Sequence, residues 1–228
     1  MTGTVHQFAG IAAAAYLIAA TISAAGGIPA ETASHETQEH ETQERETQET
    51  RARQFMASLT QELLETFGRD ALTPLEIRRQ FAAILDDKFD SGQMGRQALG
   101  DHWPKLAPSE KERYLDAYRI YVIETFVDRF HSPAGASWVA LGVRPLPEGR
   151  FAVLTRIVEP DGRERDIEWL VRLDGAAKVT DVAVDGALAS HRQRSDFGPI
   201  VAAKGGLEDL IQALHQGRLP ARPAGGRR

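Results

Sequence analysis

The sequence contains no cysteine, which excludes disulfide bonds, thiol catalysis and cysteine-ligated zinc. It also lacks the short motifs of common enzyme classes: H-E-x-x-H, G-x-S-x-G, the phosphate-binding P-loop and the glycine fingerprint for dinucleotides. The sequence has no excess of positive charge either. The formal net charge is -5: residues 31–50 contribute -6 and residues 51–228 contribute +1, so the predicted folded part is nearly neutral. We therefore expect a protein that is not an enzyme, that holds no cofactor or metal and that does not bind nucleic acid.

What remains is the composition of a globular protein. Of 228 residues, 42% are hydrophobic and 26% are charged, so the chain is long enough to bury one full core. One folded domain is therefore expected, over residues 51–217.

The start of the chain predicts export. An uncharged, alanine-rich stretch, FAGIAAAAYLIAATISAA, runs from Phe8 to Ala25 and ends in small residues that suit a signal peptidase. We interpret residues 1–25 as a signal peptide. A retained membrane anchor is the alternative, because the stretch approaches the length that spans a bilayer. Alanine drives membrane insertion much less than leucine does, which favours cleavage.

Two further segments are not expected to be part of the folded core. Residues 26–50 include HETQEHETQERETQE, three copies of a five-residue unit without an apolar side chain, which predicts an acidic spacer or a frayed helical extension. Its two histidines, His35 and His40, are interpreted as bystanders rather than metal ligands. Residues 218–228 are interpreted as a flexible basic tail.

Helix signals open the folded part. Apolar residues repeat every four positions in RQFMASLTQELLETFG, and Thr73 and Glu76 form a capping box around Pro74 that starts a second helix. A second capping box, Ser109 with Glu112, is predicted to start the long helix that contains YLDAYRIYVIETF. The apolar face of that helix is wide, so it covers either its own core or a bound apolar molecule.

From about residue 137, the repeat of the apolar residues changes from about four positions to two. Alternating apolar residues predict strands at 137–143, 151–158, 165–173 and 178–186, followed by two helices at 191–203 and 206–217. This order predicts an α+β fold: a four-stranded antiparallel meander covered by helices on one face.

GRQALGDHWPKLAPSEKERYLDAYRIYVIETFVDRF resembles the core of the MlaC family, periplasmic phospholipid-binding components of a lipid-transporting ABC system that are also called toluene-tolerance auxiliary proteins. AVLTRI, KVTDVAVDGALASHRQRSDF and GGLEDLIQAL resemble the family's later strands, turn and final helix. The similarity covers residues 52–216. Ala177 and His191 depart from the tryptophan and asparagine that are usual there. The resemblance implies a cone related to cystatin-like folds, with an apolar cavity for acyl chains.

The resemblance also implies a function: a periplasmic carrier that shuttles phospholipid between two membranes. Its implied partners are phospholipid, an inner-membrane MCE-domain protein of an ABC transporter and an outer-membrane lipoprotein–porin complex. Arg192 and Arg194 are candidates for holding the head group. A solvated helix start is the alternative interpretation of the same residues. The residues that we expect to bind lipid are Phe81, Ile84, Leu85, Leu99, Trp103, Tyr118, Tyr121, Phe126, Val153, Ile157, Trp169, Val171 and Leu173.

Alternatives stay open. The residue pattern alone favours a packed core over a cavity, because apolar faces usually satisfy each other, and the resemblance reverses that preference. A filled core would make the chain a protein-interaction module that binds no lipid. A third reading is a hopanoid-related carrier, because the related HpnM branch is linked to hopanoid biosynthesis. Asp181 and Asp185 are interpreted as parts of a strand and its turn rather than as an acid–base pair.

Overall fold

The computed structural model describes residues 30–67, 72–129, 137–159, 161–217 and 219. The predicted signal peptide and, apart from Leu219, the predicted basic tail lie outside these residues. The chain divides into two compact units, Met1–Thr42 and Gln43–Arg228. In the first unit the described residues, 30–42, are helical. Across the described ranges, no helix has both the length and the apolar character needed to cross a membrane.

The described residues form six α-helices and one 3-10 helix. The α-helices are α1 (Ala30–Phe67), α2 (Pro74–Lys88), α3 (Ser91–Leu99), α4 (Pro108–Arg129), α5 (Ala189–Ala202) and α6 (Gly206–His215), and the 3-10 helix spans Gly100–Lys105. Within the predicted spacer, the residues from 30 onward are helical, as the interpretation of a helical extension required.

One predicted capping box is present and the other is wrong. Thr73 accepts from the backbone N–H of Glu76, and the Glu76 carboxylate accepts from the backbone N–H of Thr73 at 2.8 Å. The start of α4 lies two residues earlier than the predicted box requires, at Pro108. Glu110 accepts from the backbone N–H of Ala107 at 2.7 Å. The fixed backbone angle of Pro108 suits the first helical position, so Ser109 falls inside the first turn and does not cap it.

The strands form one antiparallel sheet in the order β1-β2-β3-β4-β5. They are β1 (Ser137–Leu146), β2 (Arg150–Val158), β3 (Glu164–Arg172), β4 (Lys178–Val184) and β5 (Ala187–Leu188). The predicted α+β fold and its four-stranded meander are confirmed. The two-residue β5 was missed, because two residues are too short to show an alternating pattern.

The inner face of the sheet holds the centre of the core. Phe151, Val153, Trp169 and Val171 are buried there, and the helices pack against them. The outer face carries charged side chains that pair across strands, such as Arg144 with Glu168. The alternation therefore separates a packed side from a polar side and directs any apolar cavity toward the helices.

Candidate functional site

A cavity of about 190 Å³ lies between β4, β5 and the surrounding helices. Its sheet wall consists of Val182 and Val184 of β4 and Ala187 of β5. Val182 is paired with Trp169 and Val184 with Ile167, and both of these partners are buried on the inner face. The last turn of the meander thus supplies one apolar wall of the cavity.

Aromatic side chains form the opposite wall. Phe81 of α2 and Phe126 of α4 stack with their ring centroids 4.1 Å apart and their planes 12° apart. Tyr121, one turn before Phe126, also lines the cavity. The remaining apolar residues of this wall are Phe89, Met94 and Val122.

Helix α5 forms the rim. It contributes Ala189, Arg192, Gln193 and Asp196, which are spaced by three and four positions and therefore share one side of the helix. Arg192 and Asp196 are exposed, and they are the charged residues among those that line the cavity. The cavity thus combines an apolar interior with a polar rim that holds one cation and one anion.

Buried polar contacts fix α5 in place. The Asp181 carboxylate, which is only 3% exposed, accepts from the Ser190 hydroxyl at 2.5 Å and from the Ser190 backbone N–H at 3.3 Å. Phe197 packs edge-on against both Tyr118 and Tyr121. Helix α5 is therefore joined to β4 at its first turn and to α4 in its middle.

The tyrosines of α4 act as neutral, buried groups. Burial raises the pKa of Tyr114 and of Tyr118 above the usual range, so both stay protonated at physiological pH. The Tyr118 hydroxyl donates to Oε1 of Gln193 at 2.8 Å, and the Tyr114 hydroxyl donates to the carbonyl of Gly95 at 2.9 Å. These tyrosines link α4 to α5 and to α3.

Comparison with known families identifies the chain. The family model described as MlaC protein matches residues 53–216, well over half of the sequence. The chain belongs to the MlaC family.

Solved structures give a fold match for this MlaC-family chain. One is described as the phospholipid-binding protein from Ralstonia solanacearum in complex with a phospholipid. The two chains share 16% identity with a TM-score of 0.61, and the match covers 72% of this chain and 94% of that chain. At this identity, the likeness establishes the fold. No curated protein matches the sequence significantly.

The predicted lipid-binding residues of the MlaC-family chain fall into two groups. Phe81, Tyr121 and Phe126, together with the head-group candidate Arg192, line the cavity. The others pack into the core and are buried: Ile84, Leu85, Leu99, Tyr118, Val153, Ile157, Trp169, Val171 and Leu173. For both groups, a role in lipid binding stays a prediction.

Two predicted site residues lie in other surroundings. Trp103 is half-buried beside Tyr114, and the Lys111 ammonium lies 5.4 Å from the centre of its ring. Arg194 donates through Nε and Nη2 to the carbonyl of Gln97, at 3.1 and 2.7 Å. Arg194 therefore anchors α5 to the end of α3 and does not line the cavity.

Several lining residues were missed by the sequence reasoning. Val182 and Val184 continue the alternation of apolar residues on the inner face. Pairing the residues of β3 and β4 outward from the turn between them would have placed both valines on that face. Ala189, Gln193 and Asp196 on α5 do not form an apolar pattern, so the sequence did not predict that they line a cavity. Among the lining residues of α5, only Arg192 was predicted.

The acidic pair considered from the sequence does not form a shared site. Asp181 is buried with its oxygens engaged, whereas Asp185 is exposed in the turn before β5 with a φ of 51°. Among the described residues, no group of three or more histidine, aspartate and glutamate side chains is placed to hold a metal ion.

Proposed function

We propose that the protein is a lipid carrier that shelters acyl chains from water. The observation that carries this proposal is the cavity: its interior is apolar, its rim is charged, and it lies inside a MlaC-family fold. The fold match described as a phospholipid-binding protein in complex with a phospholipid supports the same ligand class.

The physical basis of carrying is transfer from water. Each methylene that leaves water contributes about 0.8 kcal/mol, so the affinity for a lipid rises with every carbon atom that the cavity covers. Burying an ionised head group would cost far more than the chain contributes. The head group therefore stays at the rim. There the exposed Arg192 guanidinium, which donates through Nη2 to the Val184 carbonyl at 3.3 Å, has further N–H groups for a phosphate or carboxylate.

Location and partners follow from the family rather than from the cavity. A predicted signal peptide and membership of the MlaC family support a carrier that works in the periplasm. Its partners would be an inner-membrane MCE-domain protein of an ABC transporter and an outer-membrane lipoprotein–porin complex. A docked partner would supply the continuous apolar path that an acyl chain needs to leave the cavity without crossing water.

A protein-interaction module with a filled core is the second candidate. The modest cavity favours it, since small-molecule sites usually enclose about 300 to 1,000 Å³. The complete burial of Tyr118, Trp169 and Val171 in the packed core points the same way. Lipid extraction from a membrane separates the two candidates.

The test mixes purified protein with vesicles that contain a fluorescent phospholipid and measures the lipid recovered with the protein. We expect extraction by the wild type and its loss in Val182→Glu, because the new carboxylate would lie in the apolar wall. Val139→Glu is the matched control: Val139 is 45% exposed and faces Arg156 across the strand pair. A wild type that extracts nothing would favour the interaction module.

A further inference from the structure

We infer that the side-chain amide of Gln193, oriented by Tyr118, donates a hydrogen bond to the ester carbonyl of a bound acyl lipid. The site therefore selects ester-linked lipids over lipids that lack this carbonyl. The inference rests on the proposed carrier function and names one chemical feature of its ligand. It follows from the position of Gln193 in the cavity and from the contact that orients its amide.

Gln193 lies at the boundary between the apolar interior and the charged rim. Among the lining residues, Phe81 and Met94 are buried, Arg192 is exposed, and Gln193 is half-buried. A phospholipid has its groups in the same order: apolar chain, ester, charged head. A lipid whose chain contacts the buried residues and whose head stays near Arg192 therefore brings its ester to the level of Gln193.

Tyr118 fixes the orientation of the Gln193 amide. The Tyr118 hydroxyl donates to Oε1 of Gln193 at 2.8 Å. Tyr118 is completely buried, and burial raises the pKa of its hydroxyl, which therefore keeps the proton that it donates. Within the part of the chain that the structure describes, Oε1 of Gln193 is the only acceptor of this proton. Turning the amide over would leave a buried O–H group without an acceptor, so the amide nitrogen faces away from Tyr118.

The amide nitrogen of Gln193 is free to donate to a ligand. No described residue accepts a hydrogen bond from this Nε2 atom, and the atom is accessible rather than sealed in the core. A ligand that covers the amide without an acceptor would leave a polar group buried and unpaired, which is costly. An ester carbonyl supplies the acceptor. An ether-linked chain, or a hydrocarbon ring system such as that of a hopanoid, has no carbonyl at this place.

Two phospholipids that differ only in this carbonyl test the inference. The protein, freed of co-purifying lipid, is incubated with vesicles that contain equal amounts of a diacyl phosphatidylglycerol and its diether analogue with chains of the same length. Mass spectrometry of the lipid recovered with the protein gives the ratio of the two. We expect the wild type to take up the ester lipid with a preference of about fivefold, the effect of one hydrogen bond. Equal uptake would overturn the inference and leave the carrier function standing, and uptake of neither lipid would overturn both.

Two variants of Gln193 show whether this residue makes the contact. Gln193→Leu removes the amide, and we expect the ratio to fall close to one while uptake of the diether lipid is maintained. Gln193→Glu keeps an acceptor for the Tyr118 hydroxyl and removes the donor, so it should lose the preference without losing that internal bond. Gln212→Leu on the exposed side of α6 is the matched control and should keep the wild-type ratio. A wild-type ratio in either Gln193 variant, once circular dichroism shows that it is folded, would overturn the inference.

A variant of Tyr118 tests the orienting contact. Tyr118→Phe keeps the buried ring and removes the hydroxyl, so the Gln193 amide is free to turn. We expect a ratio between that of the wild type and that of Gln193→Leu. A role of the hydroxyl in stability alone would lower the uptake of both lipids equally. An unchanged ratio in folded Tyr118→Phe would therefore overturn the assignment of Tyr118 as the residue that positions the amide.

Discussion

Phe81 and Phe126 stack face to face at a centroid distance of 4.1 Å, and both rings line the cavity. They come from α2 and α4, which are separated in sequence by the short α3 and the 3-10 helix. Such a pair contributes about 0.5 to 1.5 kcal/mol beyond its area of burial. A contact between the two helices is therefore also part of the cavity wall.

Shortening one ring should enlarge the site. In Phe126→Leu we expect a loss of about 1 kcal/mol in the free energy of unfolding, because Phe126 is half-buried, and tighter binding of longer acyl chains. Urea unfolding and titration with fatty acids of increasing length measure the two effects. Phe151→Leu is the control: Phe151 is buried on β2 and does not line the cavity, so this variant should lose stability without a change in chain preference. The same shift in both variants would contradict the role of the stacked pair.

The two arginines of α5 should behave differently. Arg192 is on the rim, whereas Arg194 is held by the Gln97 carbonyl. We expect Arg192→Gln to weaken binding of an anionic lipid severalfold and to reduce the salt dependence of that binding. Arg194→Gln should instead lower thermal stability slightly and leave binding unchanged. Equal binding losses in the two variants would argue against a head-group site at Arg192.

The crossing of α3 and α4 depends on a glycine. A methyl group at Gly95 would lie 2.8 Å from Cδ2 of Leu115 and 3.0 Å from Cδ1 of the buried Tyr118. We expect Gly95→Ala to destabilise the fold by about 1 to 3 kcal/mol through overpacking. Gly92→Ala on the same helix meets its nearest atoms at 3.5 Å and should be neutral or stabilising by up to about 1 kcal/mol. Denaturant unfolding compares the two, and a Gly95→Ala variant as stable as Gly92→Ala would show that the helices separate easily.

Acid should weaken the tie between α2 and α4. The hydrogen bonds from Arg119 lower the pKa of Asp86 below its ordinary value of 3.8. The ionised carboxylate therefore stabilises the folded state. This contribution to the free energy of unfolding is complete above the ordinary pKa, and it is lost as the pH falls through the lower pKa that Asp86 has in the folded state. We expect the difference in unfolding free energy between the wild type and Asp86→Asn to be largest near neutral pH and to shrink below about pH 4. A difference that stays constant from neutral pH to pH 2 would contradict this pairing.

The sheet was largely predictable from the sequence, whereas the position of the cavity was not. Strands β2 and β3 carry large apolar residues at alternate positions, so their inner residues, such as Val153 and Trp169, followed from the period of two. The same pattern cannot tell a side chain that lines a space from one that fills it, since both are apolar and inward-facing. Trp169, with its ring nitrogen donating to Thr155, fills the middle of the sheet, and the cavity lies off-centre beside β4 and β5.

The rim on α5 was predictable only in part. Arg192 and Arg194 look equivalent in the sequence, because both are arginines on a polar helix start. Two positions along a helix differ by more than half a turn, so one reaches the cavity while the other reaches the end of α3. The carbonyl that holds Arg194 belongs to a residue far away in sequence, and no local pattern shows it.

Native mass spectrometry of the protein, expressed for export and purified without detergent, tests the central claim most directly. We predict a species heavier than the bare chain, and extraction of that species should release a lipid with at least one acyl chain. A single bare mass, from protein shown to be folded, would contradict the carrier and leave a packed interaction module in its place.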